Sequence, residues 1–84
     1  MSQSYNAALL NNIIHEFQKG NKKDSFDKLK KFVDNNPDDE IARYNLAYMC
    51  EQLNNIDLAI DNYIIINKKY KNNWRSRFNL YLIY

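Results

Sequence analysis

One glycine (Gly20), one proline (Pro37), one cysteine (Cys50) and one histidine (His15) in 84 residues exclude a good deal before any pattern is read. So little glycine and proline cannot build the many tight turns of a β-sandwich, whereas an all-helical chain needs few of either. A single cysteine makes no intramolecular disulfide, which fits a reducing compartment, and with one histidine it makes no Cys/His metal cluster of the usual spacing. One glycine also excludes a phosphate-cradling loop, and no motif sets a nucleophile beside His15 and Glu16. The expectation is no catalytic centre, no metal and no cofactor. Long apolar runs are missing too. The longest, from Leu80 to Tyr84, is far short of the about 20 residues of a bilayer span, so no membrane partner is expected. No Lys or Arg precedes Lys19, and Asn11 and Asn12 interrupt the apolar residues there, so the start does not read as a secretory signal. A cytoplasmic location is expected. Net charge is only +2, which demands no nucleic acid.

What the chain does have is 45% hydrophobic and 26% charged residues, suited to one domain over residues 1–84 that buries roughly 60–65% of its unfolded surface. Asparagine takes over the turn work, because it caps helices and tolerates the left-handed conformation that ends them. Its clusters mark breaks at Gly20-Asn21, at Asn35 to Asp39, at Asn54-Asn55 and at Asn72-Asn73. Between them lie five segments of helical length. Leu9, Leu10, Ile13, Ile14 and Phe17 recur at three and four residues in the first, and Phe26, Leu29, Phe32 and Val33 in the second, as amphipathic helices require. The third (Ile41, Tyr44, Leu46, Ala47, Tyr48, Cys50, Leu53) and fourth (Ile56, Ala59, Ile60, Tyr63, Ile64, Ile66, Tyr70) carry apolar residues over more than one stripe. Both are expected to be buried on two sides. The fifth, residues 74–84, is hydrophobic almost throughout.

The breaks themselves repeat with a period of 34. Gly20-Asn21 recurs as Asn54-Asn55, each a left-handed terminator followed by an N-cap, and Asp39 as Asn73, each an N-cap for the next pair; Ser25 recurs as Ala59 and Leu29 as Tyr63, and Leu10-Asn11, Tyr44-Asn45-Leu46 and Phe78-Asn79-Leu80 keep the same spacing,. A fixed period of this length means stacked helical units. A 34-residue unit with Tyr44-Asn45-Leu46-Ala47 in its first helix and Ala59 and Tyr63 in its second resembles the tetratricopeptide repeat. The units run over about 6–39 and 40–73, with 74–84 as the first helix of a third. Phe32 and Ile66 are large where that family usually has Ala or Ser, and Lys71 replaces its closing Pro. The resemblance implies an all-α fold of antiparallel helix pairs stacked as a short right-handed superhelix.

It also implies a protein-interaction module that takes a peptide or helix in a concave groove lined by the first helices of the units. Carried onto this chain, the groove positions are Leu10, Ile14 and Phe17, then Tyr44, Asn45, Tyr48 and Gln52, then Arg75, Phe78, Asn79 and Leu82. Some members of the family hold chaperone C-termini with a Lys/Asn/Arg clamp here. Asn45 and Arg75 fit that clamp, but Leu10 and Ile14 stand where it needs Lys and Asn, so chaperone-tail recognition is not expected. Trp74, Phe78, Tyr81, Leu82 and Tyr84 overload the last segment with apolar surface, and a homodimer through them is expected. The alternative is a structural module, or the start of a longer protein whose chemistry lies downstream. Cys50 reads as a buried small hydrophobe. Asp57 and Asp61 read as a solvated helix face, and so does the cluster Lys19, Lys22, Lys23, Lys28, Lys30 and Lys31.

Overall fold

Local capping and periodicity produce four helices, α1 (Gln3–Gln18), α2 (Lys22–Asn35), α3 (Glu40–Gln52) and α4 (Ile56–Lys69). The computed structural model describes residues 3–70, and side chains from residue 6 onward. Among the described residues the chain is all-helical, with no strand. The second and fourth segments expected from the spacing are both helical, as α2 and α4. The fifth segment and Asn73 lie outside the described residues. Connections are short, and each helix packs on the next, α1 on α2, α2 on α3, α3 on α4. Two cross-links join ends that the antiparallel sense brings together. The Asn6 amide at the start of α1 donates to the Asn36 side chain just beyond α2, at 3.5 Å. Lys69 at the end of α4 reaches back to Asp38 ahead of α3.

The two turns within the helix pairs are built alike. Gly20 at φ +113° and Asn54 at φ +63° take the positive-φ position. After α1, the Gly20 N–H donates to the Phe17 carbonyl (3.1 Å) and the Asn21 N–H to the Glu16 carbonyl (3.1 Å); after α3, Asn54 donates to Glu51 (3.0 Å) and Asn55 to Cys50 (2.8 Å). Each pair of bonds closes carbonyls that a helix end otherwise leaves open. The 34-residue correspondence thus holds bond for bond. One expectation is corrected. Asn21 and Asn55 stand at the N-cap positions, but neither side chain caps its helix. The Asn21 amide turns back instead to the Glu16 carboxylate, at 2.7 Å. Asp39 does cap, its carboxylate accepting from the Ala42 N–H at 3.0 Å.

Two clusters form the core, and α3 belongs to both. Leu10, Ile13 and Phe17 of α1, Leu29, Phe32 and Val33 of α2, and Ala42, Leu46 and Met49 of α3 make the first. Ala47 and Cys50 of α3 meet Ala59, Tyr63 and Ile66 of α4 in the second. Phe26 packs against both. The expected two-sided burial therefore holds for α3. For α4 the described residues supply one cover, and Ile65 remains exposed. The period also sorts burial in the second helices: Ser25, Leu29 and Phe32 are buried, and so are Ala59, Tyr63 and Ile66, each 34 residues on.

Gly20 has no atom within 4 Å of where a Cβ would stand, so a side chain there costs backbone strain alone. Gly20→Ala is expected to destabilise the fold by about 1–2 kcal/mol. Asp39→Ala, which removes a cap, is expected to cost about 1 kcal/mol. Urea unfolding midpoints read by circular dichroism check both.

Candidate protein-binding face

On α3 the residues Ile41, Asn45, Tyr48 and Gln52 follow the i, i+4, i+7, i+11 spacing that defines one helix face. The sequence 34 residues earlier places Ala7, Asn11, Ile14 and Gln18 on the matching face of α1. Both stripes read apolar, Asn, apolar, Gln. Ile41 is 65% exposed and Tyr48 45%; Gln52, Ala7, Asn11 and Gln18 are exposed, Ile14 and Asn45 half-buried. The stripes meet at a cleft of about 530 Å³, walled by Asn6, Ala7 and Leu10 on one side and Ile41 on the other. Its floor is the turn from Asn35 to Asp39.

That floor is tied down from three directions. The Asn36 amide donates to the Phe32 carbonyl at 2.9 Å, and the Asp39 N–H donates to the Asn36 carbonyl at 3.0 Å. From α4 come Lys69 to the Asp38 carboxylate and the Tyr70 hydroxyl to the Asp38 carbonyl. The Lys69 ammonium holds the Asp38 carboxyl below its ordinary range, by hydrogen bond first and charge second. Asp39 is engaged as a helix cap. Neither carboxylate in the floor is left as a bare charge.

The predicted groove residues divide. Tyr48 and Gln52 stand open to solvent. Ile14 is half-buried and packs on the first cluster. Tyr44 is half-buried, its ring 5.8 Å from that of Tyr63 and tilted at 56°. Asn45 donates its amide to the Ile41 carbonyl at 2.8 Å, one turn back on its own helix. Leu10 and Phe17 need correcting. At 6% and 5% exposure they belong to the first core cluster, because α1 must turn one face onto both α2 and α3. Leu10 reaches the cleft with an edge only, and Phe17 carries the Lys22 ammonium 4.5 Å above its ring centre. Arg75, Phe78, Asn79 and Leu82 lie outside the described residues, as do Trp74, Tyr81 and Tyr84. Ile41 was missed as a site residue. Its signal was available, since it falls on the same stripe as Asn45, Tyr48 and Gln52.

Other candidate chemistry resolves into packing and surface pairs. Cys50 is buried in the second cluster, and burial pushes its thiol up to about 11. Arg43 donates to the Asn62 carbonyl oxygen across α3 and α4 at 3.0 Å, and Asn62 donates onward to the Leu58 carbonyl at 2.9 Å. Lys23 pairs with Asp27 and Lys28 with Asp24, each at 3.2 Å, and Lys19 with Glu16 at 3.6 Å. The Glu16 carboxyl is held below its ordinary range, chiefly by the Asn21 amide and then by Lys19. Asp57 and Asp61 are exposed. Among the described residues no three His, Cys, Asp or Glu side chains come together as a metal site, and no helix is long and apolar enough to cross a membrane. No family model, curated protein or solved structure matches the chain.

A thiol whose folded pKa is raised favours folding below its unfolded value of 9.0, and that contribution disappears as pH rises through about 11,. Relative to Cys50→Ala, the natural chain is expected to lose stability across that window. Urea titrations of both proteins at several alkaline pH values measure the difference. At neutral pH, a disulfide reagent is expected to modify Cys50 far more slowly in the folded chain than in urea.

Proposed function

We infer that this chain is a protein-interaction module that takes an apolar peptide or helix along the α1/α3 face. The observation that carries the reading is the repeated stripe, apolar, Asn, apolar, Gln, with Ile41 and Tyr48 exposed on it. Large apolar side chains two turns apart on one helix offer anchor sites for a partner, and the interleaved amides suit backbone groups of a bound segment. The bond-for-bond match of the two turns supports the kinship with tetratricopeptide repeats, whose ligands use the corresponding face. The role is binding and not catalysis, and a cytoplasmic location goes with it.

Self-association stands beside this as part of the same reading. It rests on the crowding of Trp74, Phe78, Tyr81, Leu82 and Tyr84 in the sequence.

Peptides selected from a displayed random library against the natural chain are expected to lose affinity for Ile41→Asp/Tyr48→Asp. Each lost apolar anchor removes about 1.5–3 kcal/mol, or at least about tenfold per residue. Both side chains are exposed, so helicity should be unchanged. Peptides that bind the double variant equally well would place the ligand elsewhere. For self-association, light scattering on a sizing column is expected to show a dimer at micromolar concentration that Leu82→Lys dissociates.

A further inference from the structure

A second cleft, of about 460 Å³, opens between the first half of α1 and the second half of α2. Leu9, Ile13 and Phe32 give it apolar walls, Lys28 and Lys31 stand along one side, and Asn6, Asn35 and Asn36 close the end. Among the described residues no carboxylate lines it. The 34-residue correspondence explains why it is open. Leu9 matches Arg43 and Lys28 matches Asn62, and in the second helix pair those two side chains meet across α3 and α4 at 3.0 Å. The first pair has no such bridge. Leu9 is shorter than arginine and remains 38% exposed, and Lys28 turns outward to Asp24 on its own helix. A position that is bridged in one unit is thus vacant, apolar and rimmed with cations in the other.

The charges around it favour one kind of occupant. Among the described residues Lys31 forms no ion pair, and the Lys28–Asp24 pair is exposed on both sides, where such pairs contribute little and exchange readily. An anionic partner therefore meets Lys31, and Lys28 in exchange for its exposed partner Asp24, beside an apolar slot,. We propose that this cleft docks an acidic peptide through a single large apolar side chain, which enters between Leu9, Ile13 and Phe32 while flanking carboxylates meet Lys28 and Lys31. The site shares Asn6, Asn35 and Asn36 with the α1/α3 cleft, but Leu9 of α1 and the lysines of α2 belong to it alone and not to the Ile41 and Tyr48 stripe. It also differs from a nucleic-acid surface, because its walls are aliphatic and its one aromatic, Phe32, is buried in the first core cluster and offers no open ring for a base to stack on.

The test is a titration of the isotope-labelled chain, followed by amide chemical shifts. The probe is a short capped peptide with one phenylalanine flanked by glutamates. Controls replace the phenylalanine by alanine, or the glutamates by lysines. Saturable shifts below about 1 mM are expected at the amides of Lys28, Lys31 and Phe32, weakening with added salt as screened charges do. Both controls are expected to bind at least about tenfold more weakly. Leu9→Arg/Lys28→Asn, which installs the pair found at Arg43 and Asn62, is expected to abolish the shifts. Lys31→Glu, a surface change that leaves packing alone, is expected to weaken binding by about tenfold. Equal binding of either control overturns the proposal, as does the absence of saturable shifts. Shifts confined to Ile41, Asn45 and Tyr48 also overturn it while supporting the α1/α3 face. The two readings therefore fail separately.

Discussion

The close approach of α3 to both of its neighbours is the constraint on which the rest of the structure depends. Ala42, Ala47 and Cys50 are fully buried on that helix, and they face two different clusters. Small side chains bring the helix axes near enough for Leu46 and Met49 to fill one side and for Tyr63 and Ile66 to fill the other from α4. In so short a chain no single helix pair buries enough surface to stand alone. A shared middle helix makes one folding unit of two pairs. A larger residue at Ala47 would separate α3 from α4, and the Tyr44–Tyr63 ring contact lies on that same seam.

With α3 spent on both sides by packing, the faces left for a partner are few and specific. The stripe through Ile41, Asn45, Tyr48 and Gln52 is the side of α3 that neither neighbour covers. Its counterpart on α1 shares the pattern of side chains but less of the exposed apolar area, since Ala7 stands where α3 has Ile41. The two helix pairs thus differ at equivalent positions while keeping the same backbone closures. The same difference produces the α1/α2 cleft, where Leu9 and Lys28 replace the Arg43 and Asn62 pair. Repetition fixes the frame, and local differences in side-chain length and charge determine which parts of it are open.

Apart from Arg43, whose guanidinium reaches the buried Asn62 between α3 and α4, the charges described above are handled at the surface. The lysines of α2 look like a basic stripe in the sequence. In the fold, Lys23 and Lys28 are paired with aspartates one turn away, and Lys22 lies over the Phe17 ring. Exposed pairs of this kind contribute little to stability, but they lower the local potential. The cation that stays uncommitted at a cleft, Lys31, is therefore a better guide to a partner than the count of lysines.

The sequence by itself determined the helices, their ends and much of their burial. Periodicity and capping act within a few residues along one helix, so the breaks at Gly20-Asn21 and Asn54-Asn55, the cap at Asp39 and the buried face of α2 were legible, whereas α4, read as buried on two sides, has one cover among the described residues. Cys50 was legible as a small hydrophobe for the same reason. Only the tertiary structure decided that Leu10 and Phe17 are core while Ile41 and Tyr48 are open. Periodicity assigns an apolar residue to a face of its own helix and says nothing of which neighbour covers that face. Asn21 bonds Glu16 five residues back instead of capping its helix, a local choice that was not legible because an amide has several donors and acceptors within reach and sequence does not rank them. The two clefts, like the covering of Leu10 and Phe17, were decided by the tertiary structure alone. Each depends on side-chain volumes contributed by separate helices, and such a volume exists only once those helices have been brought together.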